Sequence, residues 1–462
     1  MIDTGAPSSV DGRGPNIPLA LPSPVLAVLL MVSLATALAP VSVQAAPKDA
    51  ARSFIQITGG SAAQLPLALT EPRELGPVDG DVKQTLQTVV RDDLLLSGYF
   101  KLLSSDAFIE PVSAGIESGT FDFDHWRLSG AVGLVKSNYV VEGDNVAVEV
   151  RIYDVDAGLP MLARRISGTR SSLRRIAHRV ANAVIEAFTG TPGMFDTRIL
   201  AVVDYGTGKE VYTFDLDGHN RRSVSRNGSL NLSPAWSPNG HLISYTSYRD
   251  NNPDLWVTDL RTGRHSKISA HPGINAGAEW APDGSELALT LSKDGDSEIY
   301  AISPEGSILR RLTRQWGIDV SPSYSPDGKQ IAFTSSRNGT PQVFIMDRDG
   351  SNTRLLTHRG GHNVSPVFSP DGMRIAFAGR DEGRFDIFVI NTDGTGLRRL
   401  TQNESDDEDP SWSPGGTHIV FSSARSGRGK QLYIMTSDGA SQQRITDGTG
   451  SFSNPTWGSS RR

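Results

Sequence analysis

The chain has no cysteine among its 462 residues. Disulfides, thiolate nucleophiles and cysteine metal sites are excluded, while the redox compartment stays open. It has no basic excess either: 45 Lys and Arg against 51 Asp and Glu leave a net charge of −6. Nucleic acid is therefore a poor main partner, because phosphate binding needs a basic surface. Past residue 45 no apolar run is long enough to span a bilayer. Enzyme signatures are missing as well: there is no Gly-x-Ser-x-Gly elbow, no Walker loop and no His-Glu-x-x-His. The nine histidines are scattered. His358 and His362 lie close together, but in a Gly-rich loop. No catalytic residue, metal ligand or cofactor is expected.

What is present begins with a leader. Residues 19–40, LALPSPVLAVLLMVSLATALAP, are apolar and uncharged, and VSVQAAPK follows. Small residues at Val43 and Ala45 fit signal-peptidase cleavage between Ala45 and Ala46. The alternative is an uncleaved membrane anchor; Pro22, Pro24 and Pro40 favour cleavage. Residues 1–45 are thus expected to be a signal peptide, and the mature chain an exported protein.

The second half repeats itself. Trp236, Trp280, Tyr324, Phe368, Trp412 and Trp457 recur at 44 residues, with 45 for the last step. Ile199, Ile243, Leu287, Ile331, Ile375 and Ile419 form another ladder. Tyr212, Trp256, Tyr300, Phe344, Phe388 and Tyr433 form a third, and Val224, Ile268, Leu312, Leu356, Leu400 and Ile445 a fourth. Four ladders at this period describe a four-stranded propeller blade. The first strand, around SPSYSP, carries prolines and belongs where few ladder hydrogen bonds are needed. The second alternates, as in Ile331 and Phe333, and the third is apolar nearly throughout. Ser-Pro-Asp-Gly links the first two strands, and an Asp-Gly hairpin links the third and fourth. Asp-x-Asp-Gly resembles half a calcium loop, but turn chemistry explains both residue types. The chain enters the repeat at a second-type strand, and its sixth first-type strand comes last, around Trp457. The fold expected is a six-bladed β-propeller over residues 196–458, closed by the C-terminal strand.

Residues 46–190 lack this period and read as a small α+β domain. RSFIQIT, QLPLALT and YFKLLS look like strands. DVKQTLQTVVRDDLLLSG is a helix stopped by Gly98. AVGLVKSNYVVEGDNVAVEVRIYDVDAG is a hairpin turning at Gly143-Asp144. SSLRRIAHRVANAVIEAFTG is a helix capped by Ser171 or Ser172 and ended by Gly190. Its stripe of Leu173, Ile176, Val180, Val184 and Phe188 should be buried. No flexible linker separates the two domains, so they should pack together.

The blade-joining loops must all emerge on one face, around the mouth of the central channel. The acidic run NESDDEDP (403–410) lies there, and Asn231, Asn275, Asp319, Asn363 and Asn454 should share its rim. As a ring this is a polar, somewhat acidic funnel suited to a protein or peptide ligand.

These residues resemble the TolB family, the periplasmic propellers of the Tol–Pal system. The repeat VSPSYSPDGKQIAFTSSRNGTPQVFIMDRDGSNTRLLT is similar to that family's repeat. FIQITGG, LPLALT, VVRDDLLLSGYF, GAVGLVKSNYVVEGDNVAVEVRIYDV and RRIAHRVANAVIEAFTGTPGMFDTRI follow the family in order and spacing. The resemblance implies a periplasmic, monomeric, non-enzymatic scaffold supporting outer-membrane integrity and invagination at division. Pal, a peptidoglycan-binding lipoprotein, would dock at the channel mouth. Transferred by position, its contacts would be Asn231, Ser233, Ile274, Asn275, Ala276, Asp319, Val320, Asn363, Val364, Asp407, Glu408, Asp409 and Asn454. TolA would engage the tail Ala46, Pro47, Lys48, Asp49, Ala50, Ala51, Arg52, Ser53 and Phe54. Pal binding would shift the tail between a docked and an extended state. Two alternatives stay open: a peptidase or hydrolase with a filtering propeller, and a propeller that binds peptidoglycan without protein partners. Residues 46–190 hold no nucleophile elbow, which counts against the first.

Overall fold

The computed structural model describes residues 64–76, 79–111, 114–381 and 383–458. The expected signal peptide, its cleavage site, the tail Ala46–Phe54 and the strand RSFIQIT lie outside the described residues. The described residues all fall within one compact unit.

The N-terminal layer is a mixed sheet in the order Phe100–Leu102, Leu65–Leu69, Gly133–Glu142, Asn145–Asp154, Leu159–Thr169. The first two joins are parallel, and the rest form a meander. The hairpin turns at Gly143-Asp144, where Gly143 supplies φ +61°. The last strand, Leu159–Thr169, is half-exposed and polar on one side, so the hydrophobic pattern did not announce it. Helices α1 (Gly80–Leu96) and α3 (Leu173–Thr189) pack against each other, and α3 lies against the last two strands. A short α2 spans Phe123–Leu128. Asp79 caps α1, its side chain accepting from the Val82 amide at 3.2 Å. α3 starts where expected, with Ser172 at its N-cap position, directly after a 3-10 turn over Arg170–Ser172, though the Ser172 side chain makes no cap hydrogen bond to the helix. Ser172 there accepts from the Thr169 amide at 3.0 Å. Gly190 ends the helix at φ +71°. The expected stripe is buried at Ile176, Val180, Val184 and Phe188, and half-buried at Leu173.

The propeller has six four-stranded antiparallel sheets. Blades two to six begin at Asn231, Asn275, Asp319, His362 and Asp407. Blade one is assembled from both ends of the repeat: Ser451–Gly458 pairs with Arg198–Asp204. Pairing the last strand into the first blade removes the open edge that a linear stack would leave.

The second strands are buried on both faces, not on one. Gln330–Ser335 is buried from Ile331 onward. Its alternation separates large from small residues, not apolar from polar ones. Ala288 of blade three packs with Ile331 and Phe333 of blade four. Ala332 of blade four packs with Ile375 and Phe377 of blade five. Ala376 of blade five packs with Ile419 and Phe421 of blade six. Each blade thus presents small residues to one neighbour and large ones to the other, which lets stacked sheets reach close packing.

The N-terminal layer shares one apolar core with blades one and six. Val90, Leu94, Val184 and Phe188 belong to the same cluster as Ile199, Phe214, Leu432, Ile445 and Trp457. The contacts lie on the side where the Asp-Gly turns emerge. His418 Nε2 lies 2.9 Å from the Ser97 carbonyl, and Gln443 donates to the Leu95 carbonyl at 2.8 Å. The blade-joining face lies opposite this layer.

Candidate functional site: the channel mouth

The innermost strand of every blade carries a register shift at the same place, for example between Leu232 and Ala235 or Val320 and Ser323. The residue inside each shift has a left-handed backbone: Ser233, Gly277, Ser321, Ser365, Asp409 and Asn454, with φ between +46° and +61°. Proline follows in five of the six, and its missing N–H is tolerated because a bulge leaves that ladder position unpaired. A left-handed non-glycine residue costs about 1 kcal/mol, so five of them in one ring are strain kept by the surrounding fold.

These bulges line a cavity of about 400 Å³ on the propeller axis. Around it, Asp409 Oδ2 accepts from the Asn454 amide at 3.1 Å, and Asn454 Oδ1 accepts from the Ser233 amide at 3.5 Å. Ser233, Asp409 and Asn454, all expected at the mouth, line this cavity.

Five other expected residues are placed differently. Asn231, Asn275, Asp319, Asn363 and Asp407 are at most 3% exposed. They open the innermost strands and clamp the loops that lead in. Asn275 Oδ1 accepts from Ser269 Oγ at 2.7 Å and from the His271 amide at 2.9 Å. Asn363 donates to the Arg359 carbonyl at 2.7 Å. Asp319 pairs with Arg337 and Asp407 with Arg425, each at 2.8 Å. The rim expected of these five is a buried bracing ring, because a loop that re-enters a sheet must satisfy its backbone groups internally.

The acidic run is likewise mostly engaged. Glu408 pairs with Lys430, and Asp406 Oδ1 accepts from the Phe385 amide at 3.0 Å. Ala276, Val320, Val364 and Glu408 are half-buried. Ile274 is 39% exposed.

Beside Ile274, on the next blade-joining loop, stand Ile318 and Trp316, 55% and 77% exposed. Large apolar side chains this open, on the two loops that flank blade three, have the composition of a protein contact. Trp316 escaped the sequence reading because it belongs to none of the ladders. An aromatic outside the repeat was the available signal. Glu279, which also lines the cavity, escaped for the same reason.

A second polar cluster joins the layers. His178 Nδ1 lies 2.7 Å from Asp93 Oδ2, and its Nε2 lies 3.4 Å from Asp217 Oδ2. Arg174 also pairs with Asp217. Burial pushes the Asp93 carboxyl up to about 6. Burial also opposes the His178 imidazolium, but the Asp93 hydrogen bond and charge outweigh it and raise the pKa. The three side chains could offer ligands to a metal. The Arg174 guanidinium already supplies a cation to Asp217, however, so the set reads as an interlayer ion network.

A closed six-bladed propeller with a small α/β layer on one face and an open, strained channel on the other defines a two-domain β-propeller protein. Residues 185–461 match the TolB beta propeller domain, and residues 53–161 match the TolB amino-terminal domain. A Tol-Pal system protein TolB of Geobacter sulfurreducens is 45% identical over 191 residues, 41% of this chain and 44% of that protein. One from Roseobacter denitrificans is 34% identical over 239 residues, 51% of this chain and 52% of that protein. These alignments span about half the length of the curated relatives. The crystal structure of TolB from Acinetobacter baumannii superposes with a TM-score of 0.77 at 28% identity, covering 86% of this chain and 97% of that one. The chain belongs to the TolB family.

Proposed function

We propose that this protein is a non-enzymatic periplasmic scaffold of a Tol–Pal system, holding Pal at the channel mouth and TolA through the tail Ala46–Phe54. The observation that carries the reading is the asymmetry of the disc. One face is occupied by the N-terminal layer. The other carries the strained ring and, next to it, the exposed Trp316, Ile318 and Ile274. Exposed aromatic and aliphatic anchors beside a concave, polar-lined channel are what a protein ligand uses. The expected contacts narrow accordingly to Ser233, Ile274, Val320, Val364, Asp409 and Asn454, joined by Trp316 and Ile318. The five bracing residues act indirectly, by holding the loops. Residues 1–45 are read as the export signal, residues 46–190 as one domain and 196–458 as another.

Calorimetry of the full chain against the soluble domain of Pal from the same envelope tests this. Trp316→Ala with Ile318→Ala should weaken binding by tenfold or more, since a central aromatic anchor contributes roughly 2 kcal/mol. The melting temperature should stay unchanged, because both side chains are exposed. Unchanged affinity in the double variant would move the interface elsewhere.

A further inference from the structure

Directly below the bulges, the innermost strands repeat one position: Ala235, Glu279, Ser323, Val367, Ser411 and Thr456. All six line the axial cavity. Three of them spend a hydroxyl on the next blade. Ser323 Oγ accepts from the Phe368 amide at 3.4 Å, Ser411 Oγ accepts from the Trp457 amide at 3.0 Å, and Thr456 donates to the Pro234 carbonyl at 2.7 Å. Ala235 and Val367 are apolar. Glu279 is the exception: a carboxylate at a position otherwise neutral.

Among the described residues, no ion pair or hydrogen bond holds it. Burial alone acts on its ionisation, pushing the carboxyl up to about 7. The ionisable groups on the strands packed against its own are committed elsewhere. Tyr245 bonds Thr258, Asp254 pairs with Lys267, Asp259 accepts from the Arg261 amide, Asp319 pairs with Arg337, and Tyr324 donates to Glu286. Asp409, the other carboxylate lining the cavity, accepts from the Asn454 amide. Glu279 is half-buried on the wall of an open cavity, and among the described residues nothing in the fold compensates its charge.

We propose that Glu279 is the counter-charge for an organic cation, a lysine ammonium or arginine guanidinium, that the partner docking on this face inserts into the channel. This rests on the channel-mouth reading above. The charge sits on blade three, flanked by the two loops that carry Ile274 and Trp316 with Ile318. A partner would therefore seat an apolar surface on those side chains and reach inward with a basic side chain. The neutral residues at the five equivalent positions fix the rotational register, because only one of six channel walls attracts the cation. Such a placement selects partners more than it adds affinity. A divalent metal fits less well: Ca²⁺ takes about 6–8 oxygen ligands, and Glu279 is the one cavity carboxylate without a partner among the described residues.

The test compares wild type, Glu279→Gln and Trp316→Ala by calorimetry with soluble Pal, at pH 6 and pH 8. Gln keeps the size and removes the charge, so folding is preserved. The proposal expects wild type to bind more tightly at pH 8 than at pH 6. Glu279→Gln should lose roughly tenfold at pH 8 and little at pH 6. Equal affinity of wild type and Glu279→Gln at pH 8, with Trp316→Ala still weakened, overturns the cation proposal and leaves the docking face standing. Absence of any Pal binding to wild type overturns both. Calcium titrated alone is the second arm. If it binds the wild-type chain and Glu279→Gln abolishes that binding, the site is a metal site and the organic cation is wrong.

Discussion

Single side chains decide how this fold responds to acid, and His418 is the clearest. It is 1% exposed, stacks edge-on against Tyr99 with centroids 5.4 Å apart, and faces the Ser97 carbonyl. The geometry makes Nε2 the protonated donor and leaves the ring neutral. Burial lowers its pKa to about 4, from 6.5. Below pH 6.5 the unfolded chain takes up a proton at this residue that the folded chain refuses. Stability therefore falls as pH drops through that window and stops falling near pH 4, a loss of about 3 kcal/mol from this group. Asp93 works the other way between about 6 and 3.8, since its raised pKa lets the folded state bind the proton first. The difference between wild type and His418→Gln isolates the histidine. Denaturant melts at pH 7 and pH 4.5 should show a large drop for wild type and a smaller one for the variant. Equal drops would mean the ring is already charged or unpaired. None of this was legible in the chain. His418 occupies the repeat position of Gln330 and Arg374, which are half-buried. Its environment is supplied by Ser97 and Tyr99, more than 300 residues away in sequence. Glu279 was readable in principle, as a charged residue at a neutral position of the repeat. The buried asparagines were misread because polarity near a loop signals solvent and bracing equally.

At the scale of elements the repeat was far more transparent. The six-fold ladders implied the blades, and the phase of the first and last strands implied the closure between Ser451–Gly458 and Arg198–Asp204. What periodicity could not convey was how closely the blades approach. The Asp-Gly turns were read as local turn chemistry, and that is half of their role. Gly218, Gly350 and Gly439 of these turns, and Gly306 of the corresponding Glu305-Gly306 turn, all have positive φ. A Cβ on Gly306 would also stand 1.8 Å from the Ile268 carbonyl of the preceding blade. On Gly350 it would stand 2.4 Å from that of Leu312, and on Gly218 2.5 Å from that of Ile445. The contact is between backbones, so no side chain can move aside. Gly263 is the control: φ is +71°, but a Cβ there would meet nothing within 4 Å. Gly263→Ala should cost about 1 kcal/mol, from backbone strain alone. Gly306→Ala should cost about 3 kcal/mol, because blades two and three must separate as well. Thermal melts of the two variants check the order; equal shifts would remove the interblade term.

The whole molecule is organised around one seam. The ring closes where blade six meets blade one, and the N-terminal layer lies across that junction. Trp457, on the closing strand, donates to Thr197 Oγ1 at 2.8 Å. Gln443 and His418 of blade six reach the end of α1 and the Ser97 turn after it. Asp217, in the outer turn of blade one, meets His178 and Arg174 of α3. The apolar cluster runs without a break through all three parts. Two domains joined like beads would unfold in two steps, but a layer that shares its core with the closing blades cannot leave without opening the ring. The full chain should therefore show one calorimetric transition with equal calorimetric and van't Hoff enthalpies. Asp217→Asn examines the coupling directly. It leaves His178 and Arg174 facing a neutral amide in a largely buried site, and breaking such a pair costs about 3 kcal/mol. If the seam couples the layers, this substitution lowers the single transition for layer and propeller together. If the layers are independent, it splits the trace into an early melt of residues 64–190 and an unshifted melt of the propeller. Intrinsic fluorescence tells the two apart, since Trp126 reports on the layer and Trp256, Trp280 and Trp412 on the blades. Coincident shifts of both signals would establish that the closing strand and the N-terminal layer hold the ring shut as one device.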